Sequence, residues 1–112
     1  MPFSSPIFIP TVIRAEGSQN LTGAFVGKYN VFENTAAMDL TLLGTTTSAG
    51  NAEIIIRNFY TSTDAITIVQ GAGIADIDVS GDLGLVIPPG GIGELKRLGS
   101  LNIWSFYGFI EA

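Results

Sequence analysis

Few residues in this chain have side chains capable of chemistry, and their spacing narrows what they can do. The run Asp76-Ile77-Asp78-Val79-Ser80-Gly81 sets side-chain oxygens at its first, third and fifth positions ahead of a glycine, like the opening of a calcium loop. The twelfth position is Ile87, where such a loop needs a bidentate glutamate. Ile74, Ile77 and Val79, interleaved with the acids, read instead as a strand running into a turn. Gly71-Ala72-Gly73 lacks the third glycine, the following helix and the lysine of a phosphate cradle. Asn20-Leu21-Thr22 matches a glycosylation acceptor with no other sign of secretion beside it. With no His and no Cys, a histidine-dependent triad, a thiolate zinc site, a redox dithiol and a disulfide scaffold are all excluded. Acid–base catalysis would fall to the ten Asp and Glu residues, and no spacing singles out a pair. The sequence therefore predicts no catalytic residue, no cofactor and no metal site. The remaining constellation is aromatic: Trp104, Phe106, Tyr107 and Phe109 crowd the C-terminal end. Such a cluster serves either as a carbohydrate platform or, more often, as core and subunit interface.

The elements that must position these residues read as strands. β-branched residues cluster in short runs broken by Gly, Ser, Asn and Pro, and no segment holds a helical period for two turns. Strands are predicted at Ile7–Arg14, Leu21–Phe32, Met38–Leu43, Ala52–Phe59, Ala65–Gln70, Ile74–Val79, Leu83–Ile87, Ile92–Leu98 and Ile103–Ile110. Turn signals recur every 8–12 residues or so, as in a sandwich. Ser48-Ala49-Gly50-Asn51 and Ser80-Gly81-Asp82 suit tight turns, and Pro88-Pro89-Gly90-Gly91 places Pro before Gly as a type II turn requires. The expected fold is a single-domain antiparallel β-sandwich or jelly-roll-like fold over residues 21–112. Residues 1–20 are expected to form an extended arm or an edge strand. Pro2, Pro6 and Pro10 keep this stretch extended, and as an arm it would reach about 40 Å.

Charge is scarce. Charged residues make up 13% of the chain, against about 25% in ordinary soluble domains. The uncharged runs 1–13, 40–52 and 98–110 are too short for a helical span of about 20 residues, and they contain Pro, Gly, Asn or Ser. A soluble protein without a membrane span is expected. Five basic residues against ten acidic ones, net charge -5, cannot neutralise many phosphates, which argues against nucleic acid. Alternation shows where the charges are missing. Leu101, Ile103, Ser105, Tyr107 and Phe109 would occupy one face of the C-terminal stretch and Asn102, Trp104, Phe106, Gly108 and Ile110 the other, and both faces read as apolar. Ile54-Ile55-Ile56 and Leu85-Val86-Ile87 repeat the pattern. A small sandwich cannot cover so many two-sided strands with its own atoms, so a symmetric oligomer is expected.

From Tyr29 to Ile110 the order of segments resembles a small β-module of bacteriophage virion proteins, found in tail fibres and on capsid surfaces. Its carriers are Ser48-Ala49-Gly50 leading to Ile54-Ile55-Ile56-Arg57-Asn58, then Thr61 to Ile68. The Ile77–Gly81 corner follows, then Ile87-Pro88-Pro89-Gly90-Gly91, Leu95 to Gly99, Trp104 and Gly108. The resemblance implies a non-catalytic, trimer-forming structural module. With no long stalk beside the module, it favours a capsid decoration (cement) protein on the outer surface of the virion over a fibre. The implied partners are further copies of the chain, as a homotrimer, and the major capsid protein. Phe3, Ile7, Phe8, Ile9, Val12 and Ile13 become the candidate capsid-docking residues. Leu101, Ile103, Trp104, Phe106, Tyr107 and Phe109 become the candidate subunit interface. The alternative is a fibre receptor-binding module recognising host-surface carbohydrate, with Trp104 in its platform.

Overall fold

In the computed structural model, residues 10–15, 17–45, 52–99 and 102–110 are described. Among them, ten strands form two sheets and no α-helix occurs. The strands are β1 (Thr11–Arg14), β2 (Gln19–Leu21), β3 (Tyr29–Phe32), β4 (Met38–Leu42) and β5 (Glu53–Asn58). They continue with β6 (Ile66–Gln70), β7 (Asp76–Gly81), β8 (Val86–Ile87), β9 (Gly91–Arg97) and β10 (Ile103–Ile110). One sheet has the order β1-β3-β5-β9-β10-β7 and the other β2-β4-β6-β8.

The expected all-β, two-sheet sandwich architecture is what forms. Its strand directions differ from the antiparallel expectation: five ladders are parallel (β1–β3, β3–β5, β2–β4, β4–β6, β7–β10) and three antiparallel (β5–β9, β9–β10, β6–β8). The cause is the route of the chain. From β1 to β8 each successive strand enters the opposite sheet, and through β6 the strand that follows in the same sheet has come back to run in the same direction, whereas β8 returns antiparallel to β6. Parallel neighbours need a crossover, and here a strand of the facing sheet supplies it. Of the strand pairs among the described residues, β9 and β10 alone are consecutive in sequence.

The long strand expected over Leu21–Phe32 divides for the same reason. Thr22 accepts a hydrogen bond from the Ala24 amide and caps a 3-10 turn at Gly23–Phe25, after which Gly27 (φ 72°) carries the chain into the other sheet. Leu83–Ile87 shortens to β8. The predicted Pro88–Gly91 turn forms, with Gly90 at φ 86° and the Gly91 amide donating to the Pro88 carbonyl at 2.8 Å.

The core lies between the sheets and obeys strand alternation. Met38, Leu40 and Leu42 face in from β4, Ile66 and Ile68 from β6, while Asp39 is exposed. Ile54 and Ile56 of β5 and Trp104 and Phe106 of β10 meet them from the six-stranded sheet. Gly93 makes room for this layer: a Cβ there would lie 2.5 Å from the Phe106 ring and 2.7 Å from Ile87 Cδ1.

Candidate functional site

Residues opposite one another in a ladder point to the same side of the sheet. The register therefore assigns the outer face of the six-stranded sheet without ambiguity. One row runs Ile13–Val31–Arg57–Ile92–Phe109 across β1, β3, β5, β9 and β10. The next runs Tyr29–Ile55–Glu94–Tyr107–Ser80. Ile55 and Ile92 are 3% and 0% exposed although both lie on this outer side, apart from the inter-sheet cluster. At the β1 edge, Ile13 is 80% exposed.

Glu94 sits in the middle of this apolar face. Its Oε2 is buried without a hydrogen-bond partner, and burial, reinforced by the charge of Glu53, raises its pKa above the ordinary 4.5. Below the ordinary value the group is protonated in both folded and unfolded chains, and its contribution to stability is complete. As pH rises the unfolded chain releases its proton first, so stability falls until the folded carboxyl has also ionised. Glu94→Gln is expected to remove this decline with pH. Thermal melts of both proteins between about pH 4 and 8 check it; parallel pH profiles would refute it.

Two hollows are lined by described residues at the ends of this sheet. At the β1 end, Ile13, Val31, Glu33 and Phe59 line a shallow apolar hollow of about 120 Å³. Glu33 is held at its rim by a hydrogen bond from the Thr61 hydroxyl. At the β7–β10 end, a larger cleft of about 390 Å³ is lined by Gly81, Asp82, Leu83 and residues 107–110.

The candidate docking and interface residues separate in this frame. Val12 and Ile13 point to opposite sides of β1, Val12 inward and half-buried, Ile13 outward. Phe3, Ile7, Phe8, Ile9 and Leu101 lie outside the described residues. Trp104 and Phe106 are 1% and 0% exposed within a single chain, so they belong to its own core and present no surface to a second subunit. The same burial removes Trp104 from any carbohydrate platform. Ile103, Tyr107 and Phe109 remain on the outer side of β10, with Tyr107 44% exposed. Asp76 and Asp78 lie along the outer side of edge strand β7. Among the described residues no three His, Cys, Asp or Glu side chains converge to hold a metal ion, and no helix is long and apolar enough to cross a membrane.

Sequence reasoning missed the buried asparagines. Asn30 donates to the carbonyls of Phe25, Lys28 and Ile55 and accepts from Arg14, whose guanidinium lies 4.2 Å from the centre of the Phe25 ring. Asn34 and Asn58 join Ser62 and Asp64 in a second network where the sheets meet. Their signal was an amide set within or at the end of an apolar run, as in Tyr29-Asn30-Val31-Phe32. These networks satisfy backbone groups and so are structural.

No family model, curated protein or solved structure matches the chain.

Proposed function

We propose that this chain is a structural protein of a phage virion, a decoration protein that binds the outer surface of the major capsid protein shell as a homotrimer. The observation that carries this reading is the pair of exposed apolar side chains at the margins of the six-stranded sheet's outer side, Ile13 on edge strand β1 and Tyr107 on β10, with Ile55 and Ile92 between them already covered within the chain. The Ile13–Val31–Phe59 hollow would receive an apolar side chain of the shell, and residues 1–9 lead directly into that edge. Outward residues of β10, Ile103 foremost, would contribute to the trimer contact. No catalysis, cofactor, nucleic acid or membrane enters the mechanism. A protein that binds the assembled shell and not its free subunits stabilises that shell by linkage, about 2.7 kcal/mol per site at a hundredfold excess over Kd. Joining three copies raises the effective concentration of each docking contact.

Sedimentation and incubation with expanded, undecorated capsids test the reading together. The expected results are a mass three times 11.8 kDa, added density at capsomer junctions and greater heat resistance of the shell. Ile13→Glu is expected to weaken capsid binding by at least about tenfold while leaving the fold intact, since Ile13 is 80% exposed. A monomer that leaves capsids bare would overturn the proposal.

A further inference from the structure

We infer that β1 is an edge at which two copies of this chain join, their β1 strands pairing antiparallel about a two-fold axis at Val12. The hydrogen-bond phase of β1 fixes which of its backbone groups are already committed. The Tyr29 amide donates to the Pro10 carbonyl at 2.8 Å, and Thr11 stands opposite Tyr29 in the parallel ladder. In a strand the N–H and C=O of one residue point to the same edge, and successive residues alternate. Pro10, Val12 and Arg14 therefore turn their backbone groups toward β3, while Thr11 and Ile13 turn theirs away from it. Among the described residues none of these outward groups has a partner. Both side chains are exposed, Ile13 by 80%, so the edge is open. Pro10 does not blunt it, because the N–H that proline lacks would have faced β3.

The other sheet edges are blunted by charge or by shortness, the usual defences against stray strand pairing. β7 carries Asp76 and Asp78 in exposed positions, β2 is three residues long and β8 two. β1 has neither guard. Its one charge, Arg14, is held back by Asn30, the Ala24 carbonyl and the Phe25 ring. The open edge is also its own complement, which makes a second copy the occupant. With the axis at Val12, Thr11 of each copy faces Ile13 of the other as a hydrogen-bonded antiparallel pair. Every outward N–H and C=O of both strands then finds a partner. Arg14 falls opposite Pro10, so no like charges are set against each other. The pairing lies in the plane of the sheet and leaves the Ile13 side chain on its outer side. It is therefore compatible with docking there and does not rest on it; between trimers it would link one particle to the next.

The chain has no cysteine, so single-cysteine variants report the pairing without interference. The two Val12 residues would form a non-hydrogen-bonded pair with Cα atoms about 4.5 Å apart, within disulfide reach. Ile13 and its own copy would sit on the diagonal at about 7–8 Å, beyond that reach. Val12→Cys is thus expected to oxidise to a covalent pair of chains, and Ile13→Cys is not. Sedimentation of the full chain between about 10 µM and 1 mM should show the particle doubling in mass, whatever oligomer it starts from. Thr11→Pro removes an outward N–H without touching the β3 ladder and should weaken doubling at least about tenfold. Thr11→Val keeps the amide and should leave doubling unchanged. Melting curves establish that both variants are folded; should Thr11→Pro unfold, the cysteine variants decide alone. No doubling up to about 1 mM, doubling that survives in folded Thr11→Pro, or a Val12→Cys variant that cross-links no better than Ile13→Cys would each overturn the inference.

Discussion

Replacing Trp104 by Ala is expected to destabilise the fold by about 4 kcal/mol, the range for a fully buried large aromatic. Trp104 is 1% exposed, lies opposite Arg97 on β9 and Ile77 on β7, and belongs to the cluster that joins the two sheets. Domains of this size hold about 5–15 kcal/mol in all, so the loss removes a quarter or more of the total. Urea denaturation of both proteins measures it directly, with the midpoint expected to fall and the slope to stay near its wild-type value. A cost below about 1 kcal/mol would mean that the indole is not in the core. Any loss of partner binding in Trp104→Ala is then to be read as loss of fold. Tyr107, three residues on and exposed, is the position at which binding can be tested without unfolding.

Asn58 gives the second large effect, through polarity rather than volume. Its side-chain amide donates to the carbonyls of Asp64 and Ile87, both at 2.9 Å, and its backbone carbonyl accepts from Gly90. It thereby ties β5 in the six-stranded sheet to β8 in the other. Asn58→Ala leaves these carbonyls unsatisfied and is expected to cost about 2–3 kcal/mol. Asn58→Asp should be worse at neutral pH, because it aims a carboxylate at two carbonyl oxygens with no donor between them. The aspartate's pKa would be pushed up, so its stability should recover as the solution is acidified and the protonated acid can donate once more. Melting curves of the three proteins at neutral and acid pH decide this. An aspartate variant as stable as the alanine variant at neutral pH would show that the donor bonds contribute little.

The segments and the turn chemistry were legible because they depend on near neighbours. β-branched runs bounded by Gly and Pro become strands wherever they occur, and Pro89-Gly90 closes its turn from local φ preferences alone. The break inside Leu21–Phe32 was less visible, since Gly23 and Gly27 mark either a weakened strand or a change of sheet with equal force. Strand direction could not be read at all. Hairpin-like turn signals recur along the chain, yet one consecutive pair, β9 and β10, actually closes as a hairpin among the described residues. Whether a turn returns the chain to the same sheet or lifts it to the facing one depends on which apolar surface is already waiting there.

The last strand shows the same division at the level of function. By itself, the sequence determined that Ile103–Ile110 is a strand with two apolar faces in a chain poor in charge, because the two-residue period is a property of the backbone. Which face turns inward was decided by tertiary structure. Packing against the opposite sheet took Trp104 and Phe106 into the core and left Tyr107 and Phe109 outside. The parallel ladder with β7 then brought Gly81 and Asp82 beside them. A stripe of aromatics carries no record of which side will be covered; that follows from residues distant in the chain that meet it only when the sheets close.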